Sequence, residues 1–177
     1  MGRFDDIISN RQCSEAEKHP LNQCSVCNNH LSEKDYFVVS KAFHQGKAIL
    51  EAVQCLPCQM DSRSHTSEQS MENIMLYSGR RFNAFIQDPI QRKVYHLQDP
   101  SCLITGEGLQ PTDSFELYSF HIPGANLGDE NFLFIGPTAM DQMGELLSEE
   151  TRKSWGKFIE TLMPQSPDRI PSPMFFG

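Results

Sequence analysis

The sequence predicts an α+β fold of two small lobes, each a β-hairpin followed by a helix, and three observations lead there. Two Cys-x-x-Cys pairs, Cys24/Cys27 and Cys55/Cys58, enclose 27 residues, Asn28 to Gln54. Between them lies an aromatic and β-branched run, Tyr36 to His44, a turn at Gln45-Gly46-Lys47 and a returning run, Ala48 to Val53, the pattern of a hairpin. Laying Cys24 on Cys102 then brings a second, degraded copy into step, and internal similarity of this kind redefines a fold. The first lobe is expected to be metal-bound and the second metal-free.

Composition narrows the function. The chain has 177 residues, a net charge of −8, a pI near 5.2 and 38% hydrophobic residues. The acidic balance disfavours nucleic acid and anionic membranes, since both are polyanions. No apolar run reaches the length of a membrane span, and the opening Met1-Gly2-Arg3-Phe4-Asp5-Asp6 lacks a signal core. These features read as a cytoplasmic protein with no membrane partner. In a reducing compartment six cysteines are metal ligands or free thiols rather than disulfides.

Residues 1–20 read as a polar N-terminal segment in which Cys13 is a free thiol. Residues 21–79 hold the four-cysteine lobe: a first knuckle with turn residues Asn28-Asn29-His30, the hairpin, the second pair, and a helix opened by Thr66-x-x-Gln69 and stopped at Gly79. Met60, Met71 and Met75 fall near helical spacing and read as core filling. Residues 80–98 form a connector that mixes Arg80, Arg81, Arg92 and Lys93 with Phe82, Phe85 and Tyr95. It reads either as a linker whose charge offsets the acidic lobes or as a single-strand nucleic-acid platform, and the linker is the favoured reading. Residues 99–163 form the second lobe. Residues 164–177, with Pro164, Pro167, Pro171 and Pro173, form an extended tail. Its closing Met174-Phe175-Phe176 reads either as a docking segment, because exposed aromatics are costly, or as a frayed terminus.

The repeat sets Cys27 against Thr105, Leu31 against Leu109, Val38 and Ser40 against Phe115 and Leu117, and Phe43-His44 against Phe120-His121. Farther on, Cys55 and Cys58 fall on Ile135 and Thr138, Ser67-Glu68 on Ser148-Glu149, and Ile74 and Tyr77 on Trp155 and Phe158. The second copy therefore keeps one possible ligand, Cys102, and hydroxyls with an isoleucine cannot replace the rest. Its apolar load, from Phe115 and Tyr118 to Trp155, Phe158 and Ile159, is expected to hold it by packing, with Ile135 beside the old metal position joining Phe132 and Phe134. Trp155 is then a reporter of the metal-free lobe. His44 and His121 read as strand residues without chemistry. His30 and His65 flank the thiol pairs, but four cysteines leave no vacancy.

Four thiolates in two tight pairs suit one tetrahedral structural Zn²⁺, held by Cys24, Cys27, Cys55 and Cys58. The order knuckle, hairpin, second knuckle, helix resembles the treble-clef zinc fingers. Over residues 21–78 it is similar to the four-cysteine N-terminal zinc-binding domain of the Clp unfoldase ATPases and more loosely to LIM domains; the repeat extends this to 99–162. The resemblance implies a structural metal and binding of proteins or nucleic acids. No phosphate-binding loop accompanies it. Four cysteines close the coordination shell that a catalytic zinc keeps open, so the expectation is a non-enzymatic adaptor for an unidentified protein partner. The alternative is a nucleic-acid binder acting through the connector.

Overall fold

Strand pairing decides the architecture. The computed structural model describes residues 3–15, 19–96, 98–124 and 131–162. Their helices are α1 (Arg3–Ser9), α2 (Leu56–Ser62), α3 (Glu68–Gln87), α4 (Pro89–His96), α5 (Pro137–Leu146) and α6 (Glu149–Leu162). The strands are β1 (Phe37–His44), β2 (Lys47–Cys55), β3 (Phe115–His121) and β4 (Phe132–Ile135). All four join one antiparallel sheet in the order β2-β1-β3-β4. The two expected hairpins thus share a sheet, with β1 and β3 at its centre. The turn between β1 and β2 uses Gln45 (φ 48°) and Gly46 (φ 70°), the paired left-handed residues of a two-residue hairpin loop.

The central pairing is two-fold in form. Phe37 pairs with His121 and Phe43 with Phe115, so the register is centred on Ser40 and Tyr118. Contacts in one half recur in the other. Asn28 N–H donates to Cys24 O and Gly106 N–H to Cys102 O. Leu31 N–H donates to Asn22 O and Leu109 N–H to Pro100 O. Ser25 N–H donates to Val53 O and Leu103 N–H to Phe134 O. Asp35 and Asp113 accept from the N–H groups of Ser32 and Gln110. In this frame the strand counterparts expected from sequence move by one residue: Phe37 answers Phe115, Ser40 answers Tyr118, and Cys55, the residue before α2, answers Gly136, the residue before α5.

Alternation along the strands separates two layers. On one face Phe37, Val39 and Val53 pack with the first knuckle, while Phe43, Phe115, Leu117, Phe132 and Phe134 pack beneath α1. On the other face Tyr118, Leu133 and Ile135 lie under α3 and α5, and Leu50 and Ala52 lie under α6. Ile135 therefore faces away from Phe132 and Phe134, contrary to expectation, because neighbours on a strand point to opposite sides.

The helices are exchanged between the halves. Ile74 and Tyr77 of α3, which follows the first hairpin, pack with Ile104, Leu133 and Met143 of the second. Trp155 and Phe158 of α6 pack with Val26, Leu50 and Ala52 of the first. Where the two helices begin, Ser67 N–H donates to Thr151 Oγ1 (2.9 Å) and Ser148 N–H donates to Ser70 Oγ (2.8 Å). Ser67 and Ser148 hydroxyls lie 3.0 Å apart between them. Each helix start is capped by its own serine, Ser67 accepting from Ser70 N–H (3.3 Å) and Ser148 from Thr151 N–H (3.1 Å), while the N–H of each capping serine goes to a hydroxyl of the other helix. Trp155 consequently sits on the cysteine-bearing half, and its expected use as a reporter of the second half alone is corrected.

Three further expectations change. Helix α3 is capped by Ser67 rather than Thr66 and passes through Gly79 to Gln87. The stretch read as a connector is the rest of α3 plus α4, with Phe85 buried against Cys102, Tyr118 and Leu133. Met60 and Met75 stand more than half exposed, whereas Met143 is the methionine buried in the core. Within the polar N-terminal segment, Phe4, Ile7 and Ile8 make α1 apolar at helical spacing, and Phe4 packs at 5.6 Å from the rings of both Phe115 and Phe134. The side chain of Ile159 and residues 163–177, including the tail read as docking or frayed, lie outside the described residues. No helix among the described residues is long and apolar enough to cross a membrane.

Candidate metal centre

The first knuckle turns because Asn28 takes a left-handed conformation (φ 59°) and donates back to Cys24 O (2.9 Å), a cost asparagine tolerates. This places Cys24 and Cys27 on one side of a tight loop. Cys55 ends β2 as the residue before α2, and Cys58 sits in that helix's first turn. Ser25 stitches the loop to the strand twice: its N–H donates to Val53 O (2.8 Å) and its hydroxyl accepts from Val53 N–H (2.9 Å). The hairpin thereby delivers the second pair to the first.

All four sulfurs lie within 4.8 Å of one another, and Cys27 and Cys55 Sγ are 3.9 Å apart. A tetrahedron with Zn–S bonds of ~2.3 Å has edges of about 3.8 Å, so the spacing and the donor set fit a four-cysteine zinc site. Cys24 and Cys55 are buried, Cys58 is partly buried and Cys27 is exposed. Cys13 and Cys102 stand apart from the group, and none of the histidines among the described residues joins it. His30 pairs in a backbone bridge with Gln23, and His65 stacks on Phe158 at 4.8 Å with Ser154 Oγ 3.1 Å from its Nδ1.

Burial raises the Cys24 thiol, but backbone N–H groups of Cys27, Cys55 and Val26 outweigh it and lower the group to about 7. Burial then holds the Cys55 and Cys58 thiols up, and a charge on Cys24 adds to the shift. The Cys24 thiol is thus held down while those of Cys55 and Cys58 are held up. A divalent cation at the centre reverses that balance, since metal binding deprotonates its thiols.

At the corresponding place in the second half the chemistry is different. Cys102 is buried and keeps the knuckle's N–H to sulfur bond, from Thr105 N–H at 3.5 Å. Gly136 stands opposite Cys55. A side chain there would run into the Glu107 carboxylate, Leu109 Cδ2 at 3.0 Å and Cys102 Cβ at 3.1 Å. Glu107 accepts instead from Thr138 N–H (3.3 Å), in the first turn of α5, where a carboxylate complements the positive end of the helix. Sequence reading passed over Glu107; its only signal was an acidic residue two positions beyond Thr105.

Two other groups matter to the site's frame. Lys41, at the sheet centre, has a fully buried side chain that reaches Asn10 O (3.1 Å), Cys13 O (2.5 Å) and Glu51 (3.1 Å). It fastens the N-terminal segment across the face that carries the knuckle. Tyr95 donates to Ser101 O (2.7 Å) and accepts from Phe134 N–H (3.0 Å), tying α4 to the second half.

The chain matches no protein-family model, no curated protein and no solved structure.

Proposed function

We propose that this chain is a non-enzymatic protein-interaction module whose fold is completed by one structural Zn²⁺ on Cys24, Cys27, Cys55 and Cys58. The observation that carries the reading is the four-sulfur cluster within 4.8 Å: four thiolates complete zinc's shell and leave no position for a substrate. In this reading the chain is a tandem of two treble-clef-like units. The recurring hydrogen bonds about Ser40 and Tyr118 support the duplication. The second unit has exchanged its metal for packing, with Gly136 and the Glu107 carboxylate at the vacated place.

The structure bears differently on the nucleic-acid alternative than the sequence did. That reading needed outward aromatics among the basic residues. Phe85 is buried, Tyr95 is bonded inward, and Phe82 packs on the core. Affinity capture of the zinc-loaded full chain from its native cells tests the proposal. It predicts a stoichiometric protein partner that survives nuclease treatment and is lost with Cys55→Ser. Capture that disappears on nuclease treatment contradicts it.

A further inference from the structure

Among the described residues, helices α3 and α4 carry most of the exposed large apolar side chains. Ile86, Ile90 and Val94 are exposed, Ile90 at 72%. Around them Arg80, Arg81 and Lys93 are exposed and make no ion pair among the described residues, and Asp88 is the only acidic residue between Gly79 and Gln98. This basic stretch belongs to a chain whose net charge is −8. Two hollows open beside Phe85. One, of about 270 Å³, is lined by Tyr36, Leu56, Ile86 and Phe120 and skirted by Arg92; the other, of about 230 Å³, is lined by Arg81, Gln91 and Val94. Tyr36 and Leu56 are themselves about half exposed, at 53% and 47%.

The surroundings are built to hold this surface in place. Arg92 donates to Phe85 O (3.2 Å), Ile86 O (2.8 Å) and Asn131 Oδ1 (3.3 Å), satisfying the carbonyl end of α3. Asp88 accepts from Ile90 N–H (2.9 Å) at the start of α4. The bend between the helices is therefore fixed, and the aliphatic side chains stand on a rigid support rather than a loop.

We propose that the α3–α4 face docks an acidic amphipathic helix of a protein partner, its apolar side chains on Ile86, Ile90 and Val94 and its carboxylates among Arg80, Arg81 and Lys93. The inference rests on the protein-interaction reading and names the partner's chemistry. Aliphatic side chains spaced four apart with hollows at either end suit the i, i+4 anchors of a helix. Unpaired cations beside them select an acidic one by charge complementarity. Nucleic acid would need several outward stacking faces among the basic residues, and Phe82, Phe85 and Tyr95 are turned inward. An anionic bilayer would have to approach against the charge of the remaining chain.

The test uses the zinc-loaded full chain and a labelled synthetic helix with leucines at i, i+4 and i+8 and glutamates on its flanks, read by fluorescence anisotropy. The expected result is saturable binding. Affinity falls about tenfold or more with Ile90→Asp, as for an interface anchor, and by a similar factor with the pair Arg81→Glu, Lys93→Glu, while far-UV circular dichroism and Trp155 emission stay unchanged. A lysine-flanked helix of the same leucine spacing binds at least about tenfold more weakly. Equal binding of both helices, insensitivity to the surface variants, or tighter binding to a poly-dT strand or to phosphatidylserine vesicles overturns the proposal. If these variants leave capture of a native partner intact, this surface is wrong and the protein-interaction reading survives; if no protein partner exists, that reading fails by its own test.

Discussion

Lys41 shows how much a single side chain carries. Its side chain is fully buried, and its ammonium meets Glu51 (3.1 Å), Glu15 (3.9 Å) and two carbonyls of the N-terminal segment. Lys41→Met leaves the Glu51 carboxylate without its ion-pair partner, held by Ser14 Oγ (3.2 Å) and Glu15 N–H (2.9 Å). The expected loss is about 3–5 kcal/mol, typical of breaking a buried pair from one side. Urea unfolding measures it, and earlier proteolytic cleavage before residue 15 accompanies it. Tyr95 gives a pH-dependent case. Burial pushes its phenol well above the ordinary tyrosine value, so the folded state favours the neutral form. The stability from Tyr95 is complete below ~10, the unfolded value, and is lost as the pH rises toward the folded one. Tyr95→Phe should flatten the alkaline limb of the stability curve. At neutral pH it should cost about 1–3 kcal/mol, since Phe134 N–H and Ser101 O lose a partner. An alkaline limb identical to that of the unmodified chain would remove Tyr95 from this role.

At the scale of elements, legibility followed the range of the interaction. The cysteine knuckles, the β1–β2 hairpin and its turn could be read because their signals are local: thiol spacing, β-branched residues and a glycine where a left-handed φ is required. The pairing of β1 with β3 was not legible, since Val39 and Leu117 carry the same apolar signature whether two hairpins stand apart or side by side. Gly79 misled because glycine's helix preference is a weak local signal, about 1 kcal/mol against alanine, which the burial of Phe85 farther along the same helix outweighs. Phe85→Ala should cost about 3–5 kcal/mol, the range for emptying a core aromatic; a loss under 1 kcal/mol in urea unfolding would return this stretch to the status of a linker. The crossed bonds at the helix starts were half visible, in that Ser67 and Ser148 could be matched. Nothing local says that each N–H donates across to Thr151 and Ser70. A double-mutant cycle on Ser70→Ala and Thr151→Ala should show a coupling of about 0.5–3 kcal/mol, as side chains in one hydrogen-bond network do. Strict additivity would mean that the two helix starts are independent.

For the whole molecule, the central claim is that the metal centre and the second half's last helix form one cooperative unit. Val26 sits inside the first knuckle, between Cys24 and Cys27, and packs with Trp155 and Phe158 of α6. Trp155 is further fixed by a bond from Nε1 to Thr66 Oγ1 (2.8 Å). Structural zinc contributes ~10–16 kcal/mol of apparent binding energy, which is also folding energy, so its removal should loosen the knuckle and expose the indole. Metal analysis should give one zinc per chain, retained in Cys102→Ser and lost in Cys55→Ser. The most direct measurement is Trp155 emission of the full chain titrated with a zinc chelator. The account predicts a red shift that tracks zinc release and reverses on adding zinc back. Complete zinc removal with unchanged Trp155 emission would contradict it, because α6 would then be held without the knuckle on which it rests.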